Sequence, residues 1–378
     1  MGTSYTSDEW SNDDWDSGIK FRQQAQLLGQ VAPVVFQSGV FALKGGTAIN
    51  FFLRDLPRLS VDIDCTYING TKNRNDAIQD IHNALGAIAT NLSARGFQTR
   101  NMGKLDKLMI TEKSTQTTVK IEVNPIARGS VLPVEMRSPS PNALPYFQHG
   151  VTLPVLHEAE VYAGKFAAAL TRSHPRDLFD VREFLKVNQE LTPLQMDTFL
   201  VTLLADDRPL KDSLFRQKFR VDRGIFKETT EGMFLTPCEF EDILPIPELL
   251  QTKLISAMSP DQKEFLYSFQ ACEPKWNLLS VENCDQLPAI RWKQINLARL
   301  RDLNPTKFNA QLDEIEFHLG VTPKLDIDPF DELAEDTQKT IESRLGKSPV
   351  APTVSVSQNH HDDEPKITQN TPRIPRKK

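Results

Sequence analysis

The sequence predicts an α+β fold, in which a region of mixed helices and strands precedes a mainly helical region. Residues 58–64 and 118–124 alternate apolar and polar side chains, as half-buried strands do. Stretches with apolar residues at helical spacing flank them and dominate the second half of the chain. The proline-rich residues 133–154 indicate a bend or linker. We therefore expect one domain over residues 17–155 and a second over residues 156–321.

The first distinctive motif, Lys44-Gly-Gly-Thr-Ala48, follows an amphipathic helix predicted around Ile19–Val35. Glycine permits a tight turn and a close approach of the backbone to a ligand. A helix that begins near Thr47 would direct free N–H groups at phosphate. Gly45, Gly46 and Thr47 are therefore predicted to bind the phosphates of a nucleotide.

The next strand carries Asp62 and Asp64. Side chains two residues apart on a strand share one face, so the two carboxylates lie together while Val61 and Ile63 pack behind them. Adjacent carboxylates repel each other unless a cation lies between them. Mg²⁺ prefers carboxylate and phosphate oxygens and is the predicted cofactor. An isolated Asp-x-Asp also occurs in ordinary solvated turns, so the prediction rests on the ordered combination with the glycine motif.

A helix over residues 74–95 and a strand over residues 118–124 complete the first domain. The helix has apolar residues at helical spacing, which favour a core face. The strand places Lys120 and Glu122 on one face. Glu122 is the candidate third carboxylate of the site, with an ordinary exposed strand residue as the alternative.

In the second domain, two successive predicted helices carry further candidate site residues. Glu158–Leu170 is rich in helix formers, and helical spacing directs Lys165 and Arg172 to the same side. In the following helix, Asp177 and Asp180 are three residues apart and therefore adjacent. Asp177 lies in the first turn, where it would also favour the helix dipole, whereas Asp180 lies beyond the first turn.

The rest of the second domain fits helices with ordinary core stripes at Leu191–Leu204, Pro247–Met258, Asp261–Ala271 and Leu287–Leu303. Between the first two of these helices, residues 216–227 carry five basic residues and one acidic residue, interleaved with phenylalanines. Such a segment either binds a phosphate backbone and stacks a base or is a charged connecting loop.

Composition predicts disorder at both ends of the chain. Residues 1–16 hold five acidic and no basic residues, and residues 322–378 are rich in Pro, Ser, Thr and charge. Of the formal net charge of −6, these segments contribute −5 and −1, so the residues between them are neutral as a set. The run His360–Glu364 is expected to have no catalytic role.

The remaining composition predicts a soluble, cytoplasmic protein. The four cysteines, Cys65, Cys238, Cys272 and Cys284, form no C-x-x-C pair, which argues against a zinc site or a disulfide framework. No apolar run has the length of a membrane span, and the polar N-terminus does not resemble a signal peptide.

Several blocks resemble the nucleotidyltransferase superfamily, and more closely the AbiEii/AbiGii toxin family of bacterial toxin–antitoxin, abortive-infection and phage-defence systems. The resemblance covers about residues 20–305 in the expected order. Its most specific blocks are residues 41–50 with 58–64, and Arg176-Asp177-Leu-Phe-Asp180. Lys120-Ile-Glu122, residues 165–172 and residues 287–297 also resemble family motifs.

The resemblance implies a nucleotidyltransferase domain with a mixed sheet, completed by the helical domain. An acceptor hydroxyl would attack the α-phosphate of an NTP, with Mg²⁺ held by Asp62 and Asp64. Lys165, with Arg58, would stabilise the triphosphate charge. Either Glu122 or Asp180 would help to activate the acceptor. Asp177 is expected to belong to the NTP-binding set.

The resemblance further implies a toxin that acts on RNA, with the tRNA 3′ end as the leading candidate, and a block of translation. The cognate antitoxin would be a winged-helix protein. The alternatives are transfer to a protein or small-molecule hydroxyl, and a catalytically idle module of the same fold that binds an NTP or a partner. A nucleic-acid-binding antitoxin or regulator is a third alternative, but no helix-turn-helix or zinc-finger spacing supports it.

Overall fold

The computed structural model describes residues 12–103, 106–230 and 232–321. The predictions for residues 1–11 and for the tail from residue 322 onwards, including His360–Glu364, lie outside these ranges. The first helix begins at Asn12, earlier than the predicted start at Ile19, and it includes residues 12–16 of the acidic segment predicted to be disordered. None of the described helices is both long enough and apolar enough to cross a membrane.

The described part of the chain forms one mixed sheet of seven strands, which confirms the predicted fold class. The spatial order is β3-β4-β5-β2-β1-β7-β6, with β2–β5 and β1–β7 parallel and the other neighbours antiparallel. The strands are β1 Phe41–Lys44, β2 Asp62–Tyr67, β3 Gln98–Met102, β4 Lys107–Thr111, β5 Thr118–Val123, β6 Glu135–Arg137 and β7 Leu153–Val155.

The α-helices of the described residues are α1 Asn12–Val35, α2 Gly45–Ala48, α3 Arg74–Ala94, α4 Glu158–Arg172, α5 Pro175–Val187, α6 Pro193–Leu204, α7 Arg223–Thr230, α8 Phe240–Ile243, α9 Ile246–Ala257, α10 Pro260–Gln270, α11 Pro288–Leu303 and α12 Pro305–Leu319. The chain continues from α2 directly into a π-helical turn, Ile49–Leu53. Apart from α2 and α8, these helices are long enough to bury one face.

Helices α1 and α3 pack beside each other, and α1 also contacts β2 and β5. The buried face of α1 repeats at helical spacing, as with Leu28, Val31 and Val35, and Gln24 Nε2 donates to the Thr118 carbonyl at 3.0 Å. This packing covers the strands that carry the predicted carboxylates.

Helix α4 links the sheet to the helical region. It packs against α5, α6 and α9 on the helical side and against α2 and the π-helical turn on the sheet side. Residues of both regions belong to one hydrophobic cluster. The division into domains near residue 155 stays a prediction.

Three features of the fold differ from the sequence-based expectations. The proline-rich stretch predicted to be a bend or linker contains β6 and β7, which extend the sheet past β1. Helix α7 begins within the basic segment and extends three residues beyond it, and α12 follows the last predicted helix. Helix α7 is short and buries only Thr230, whereas α12 buries Phe308, Ile315 and Leu319 at helical spacing.

Candidate active site

The glycine turn lies against the predicted carboxylate strand. Strand β1 ends at Lys44, and Gly45 begins α2 with a φ of +69°, which favours glycine. A Cβ at Gly45 would lie 2.4 Å from Asp64 Oδ2, and one at Gly46 would lie 2.6 Å from Arg58 Nη2. The turn therefore brings bare backbone next to a carboxylate and a guanidinium group.

Thr47 fastens this turn to β2. Its buried hydroxyl donates to the Asp62 carbonyl at 2.5 Å and lies 2.9 Å from Ser60 Oγ. The Thr47 side chain is thus committed to holding the turn, and its contribution to phosphate binding is limited to the backbone.

The carboxylates share one face of β2, as predicted. Asp62 and Asp64 are half-buried, whereas Ile63 and Cys65 between and after them are buried. In the sheet, Asp64 lies between Lys44 of β1 and Glu122 of β5, and Asp62 pairs with Lys120. The sheet therefore places the three predicted carboxylates side by side.

The electrostatics of β2 favour a bound cation. Burial raises the pKa of Asp64, and the charge of Asp62 raises it further, against the opposing charge of Lys44. Arg176 Nη1 lies 4.0 Å from Asp62 Oδ2, which is a loose ion pair. A cation between the two aspartates would relieve this repulsion.

The donor set fits Mg²⁺ held jointly with a substrate. No group of three metal-ligating His, Cys, Asp or Glu side chains occurs among the residues that the structure describes. Mg²⁺ is commonly held by one or two carboxylates together with substrate phosphates and water. Asp62 and Asp64 supply two hard oxygen donors beside the glycine turn, and this arrangement matches that mode.

Glu122 is engaged by two lysines. Lys120 Nζ lies 2.8 Å from its Oε2, and Lys107 Nζ of β4 lies 2.9 Å from its Oε1. Burial raises the pKa of Glu122, but the hydrogen bonds from Lys120 and Lys107 outweigh burial and hold the pKa below its ordinary value. Glu122 is therefore ionised, with an ammonium group at each oxygen.

A buried ion network lies behind the glycine turn. Asp180 accepts from Arg58 through both oxygens, at 2.7 and 2.6 Å, and from Lys165 at 2.9 Å. Asn50 Nδ2 also donates to Asp180 at 3.1 Å and to the Gly46 carbonyl at 2.9 Å. This network connects α5 directly to the turn.

Asp177 extends the network towards solvent. Its Oδ1 accepts from Lys165 at 2.8 Å, and its Oδ2 accepts from Arg172 Nε at 2.6 Å. Arg172 and Lys165 therefore lie on the same side of α4, as their spacing predicts. The side chain of Arg172 is 62% exposed, whereas those of Lys165 and Asp177 are buried.

Burial and ion pairing have opposite effects on the pKa values of this network. Burial raises the pKa of Asp177 and of Asp180, but Lys165 with Arg172, and Arg58 with Lys165, lower these pKa values below their ordinary range. Burial lowers the pKa of Lys165, and the two aspartates raise it above its ordinary value. All three groups are therefore charged at neutral pH.

The structure thus brings every predicted site residue to one region: Arg58 lies just before β2, and the others lie on α2, β2, β5, α4 and α5. It adds Asn50, Lys107 and Arg176, whose proximity depends on contacts between distant parts of the chain. The alternation of β5 predicts Lys120 on the face of Glu122, but its position beside Asp62 depends on the pairing of β2 with β5, which no local pattern shows.

A tight turn between α4 and α5 shapes this region. Ser173 has a φ of +49°, and His174 Nδ1 accepts from the Arg176 backbone N–H at 3.2 Å, which caps α5. The turn brings Arg172 back over Asp177 and directs Arg176 towards Asp62.

A separate cavity of about 700 Å³ lies between α1, the residues after the π-helical turn and the end of α5. Arg22, Arg54, Tyr146 and Glu183 are among its lining residues, and none of the predicted site residues lines it. The candidate active site is therefore the half-buried face of the sheet and not this cavity.

A family model described as nucleotidyl transferase AbiEii toxin, type IV toxin–antitoxin system, matches residues 26–270 of the chain. Among solved structures, the chain is similar to MenT4, a nucleotidyltransferase toxin from Mycobacterium tuberculosis H37Rv. The two are 17% identical, the match covers 81% of this chain and 95% of that chain, and the TM-score is 0.48. No curated protein matches.

Proposed function

The chain belongs to the AbiEii family of nucleotidyltransferase toxins from type IV toxin–antitoxin systems. On that premise we propose that it transfers a nucleoside monophosphate from an NTP to a hydroxyl at the 3′ end of tRNA and thereby blocks translation. The observation that carries the proposal is the contact between the glycine turn and the paired carboxylates of β2.

The turn binds the triphosphate of the NTP in this proposal. Gly45 and Gly46 offer backbone without side chains, and the guanidinium of Arg58 lies immediately behind Gly46. Arg58, Lys165 and Arg172 are three cations that share two carboxylates, so the network retains a net positive charge. That positive charge stabilises the negative charge on the phosphates of the NTP during the transfer step.

Asp62 and Asp64 would hold Mg²⁺. When bound, the ion would neutralise charge on the phosphates and on the pyrophosphate leaving group. Thr47 keeps the turn at a fixed distance from β2 through its bond to the Asp62 carbonyl. Near-attack geometry between acceptor and phosphate depends on such fixed spacing.

The contacts of Asp180 favour a role in positioning Arg58 and Lys165. Its two oxygens are occupied by Arg58, Lys165 and Asn50, and it is buried. We therefore assign it to holding Arg58 and Lys165 in place, with Asp177 doing the same for Lys165 and Arg172. Of the two candidates for activating the acceptor hydroxyl, Glu122 is the half-exposed one, but each of its oxygens pairs with a lysine ammonium group, so activation by Glu122 requires one of these pairs to open.

An RNA acceptor is supported by the basic segment, residues 216–227. Arg216 donates to the Leu170 and Thr171 carbonyls at 3.3 and 2.6 Å, so the segment begins at the end of α4, beside Arg172. Lys218, Arg220 and Lys227 are exposed and form no ion pair within the described ranges. Exposed cations of this kind bind a phosphate backbone.

The family also implies an antitoxin, which we propose to be a winged-helix protein, and a setting in phage defence. A cytoplasmic location belongs to the same proposal, because tRNA and NTPs are cytoplasmic.

The proposal is tested by transfer of label from each of four α-³²P-NTPs to total RNA with Mg²⁺. We expect label in the tRNA band with the wild type and none with Asp64→Asn, which preserves the side-chain shape and removes the charge. Label on a protein or small molecule would favour another acceptor. No label on any acceptor, from folded protein, would favour an idle binding module.

A further inference from the structure

Lys120 lies on the face of the sheet that carries Asp62, Asp64 and Glu122. Across the sheet, Lys44, Asp64, Glu122 and Lys107 form one row on β1, β2, β5 and β4. In the adjacent row, Lys120 of β5 lies beside Asp62 of β2. Neighbouring strands are about 4.8 Å apart, so Lys120 lies on the same face as Asp62 and Asp64, and its ammonium group pairs with Glu122 at 2.8 Å.

The charges of this face explain why Lys120 stays in place. Burial lowers the pKa of Lys120, but its hydrogen bond with Glu122 and the charges of Asp62 and Asp64 raise the pKa above its ordinary value. The Lys120 side chain is 34% exposed, so its ammonium group borders the open side of the site.

Glu122, the third carboxylate, is not free to bind a metal ion. Lys107 and Lys120 occupy one oxygen each of Glu122. Without Glu122, Asp62 and Asp64 are the carboxylates that remain for a divalent ion. A second divalent ion would need Glu122 as a ligand and would have to approach the Lys120 ammonium, whose charge repels it.

We propose that Lys120 is a fixed cation that takes the place of a second divalent ion, so that the site binds one divalent ion through Asp62 and Asp64. This inference rests on the proposed function, because it presupposes a metal at the two aspartates. Lys120 would supply its positive charge from the sheet itself, and Glu122 would hold it there.

The matched control for Lys120 is Lys107. Both lysines pair with Glu122 at almost the same distance and have similar exposure. Only Lys120 lies beside Asp62 in the sheet, whereas Lys107 lies on the far side of Glu122. Lys107→Gln and Lys120→Gln therefore remove the same charge and the same type of ion pair, and they differ in proximity to the metal-binding aspartates.

The test counts Mn²⁺ ions bound to the full chain by electron paramagnetic resonance, with inorganic triphosphate present to supply the phosphate ligands that the two aspartates leave open. Ions that also bind to Asp62→Asn/Asp64→Asn belong elsewhere on the chain and are subtracted. We expect one site-specific ion in the wild type, in Lys107→Gln and in Lys120→Arg. We expect two ions in Lys120→Gln, with the spectral broadening of a coupled Mn²⁺ pair.

Two ions in the wild type, or one ion in Lys120→Gln, would overturn the inference. No site-specific ion in the wild type would instead refute the metal site of the proposed function itself, and this inference with it. The number of ions therefore separates the two failures.

Discussion

The candidate site depends on the absence of a side chain at Gly45. The backbone φ is positive there, and a Cβ at this position would lie only 2.4 Å from Asp64 Oδ2, so no other residue fits. The sequence predicts the need for glycine here, because a nucleotide-binding turn requires close backbone approach. The same glycine also makes room for Asp64, because the pairing of β1 with β2 brings Asp64 next to the turn.

We expect Gly45→Ala to abolish most of the activity. The new methyl group displaces the Asp64 carboxylate, and a displacement of about 1 Å costs about 100-fold in rate. The strained backbone adds about 1–3 kcal/mol of destabilisation. Transfer rates and urea unfolding measure the two effects.

Gly86→Ala is the control for this substitution. Gly86 lies in α3, and a Cβ there meets nothing within 4 Å. It should leave transfer unchanged and stabilise the protein by about 1 kcal/mol. Full activity in Gly45→Ala would contradict the assignment of the turn.

Asp180 permits a second prediction for a single residue. Asp180→Asn leaves Arg58 and Lys165 buried with one carboxylate fewer, and removing one partner of a buried ion pair costs about 3–5 kcal/mol. We expect a loss of that size in the free energy of unfolding. Asp242→Asn, which weakens a half-exposed pair with Arg182, should cost at most about 1 kcal/mol. Equal effects of the two substitutions would argue against the buried network.

At the scale of elements, the long helices follow from the sequence and the short elements do not. Helices α3, α5 and α6 bury a stripe at helical spacing and begin at a side-chain cap, which the sequence displays. Strands β6 and β7 have three residues each, too few for an alternating pattern. Strand β7 pairs with β1 and β6 pairs with β7, and a local pattern does not encode these contacts.

Helix α4 carries a carboxyl group that makes stability depend on pH. Burial raises the pKa of Glu160 to about 7, against the opposing backbone N–H bonds from Val131 and Leu132. Because the folded-state pKa lies above the ordinary value of 4.5, the contribution of Glu160 to stability is fully present below pH 4.5. It is lost as the pH rises towards 7.

Glu160→Gln tests this pH dependence. Glutamine accepts the same N–H bonds and does not ionise, so the variant should gain stability relative to the wild type between pH 4.5 and about 7. Above that range the gap should be constant. Urea unfolding across this pH range measures the gap, and Glu158→Gln on the same turn is the half-exposed control. A gap that does not change with pH would contradict the assignment.

At the scale of the whole molecule, the site is assembled from segments that are far apart in the chain. Arg58 and Asp180 are separated by 122 residues, and their bidentate contact joins the sheet to the helical region. The residues themselves could be predicted from their motifs. Asp180 is unavailable to the acceptor because it is ion-paired. This pairing depends on how α5 packs on the turn, which no local pattern shows.

The basic segment makes acceptor binding depend on salt. We expect Lys218→Ala/Arg220→Ala/Lys227→Ala to raise the KM for RNA, leave the KM for the NTP unchanged and reduce the salt dependence of RNA binding. Lys113→Ala/Lys307→Ala removes exposed charge from other surfaces and should change none of these quantities. Filter binding at several salt concentrations and steady-state kinetics measure them. An unchanged salt dependence in the triple variant would remove the segment from the acceptor site.

The most direct test of the central claim is transfer of α-³²P-labelled nucleotide to two preparations of the same tRNA. One preparation is intact, and in the other periodate has oxidised the 3′-terminal ribose and removed its hydroxyl acceptors. We predict label on intact tRNA with the wild type, none on oxidised tRNA, and none on either with Asp64→Asn. Equal labelling of the two preparations, or undiminished labelling by Asp64→Asn, would contradict the account.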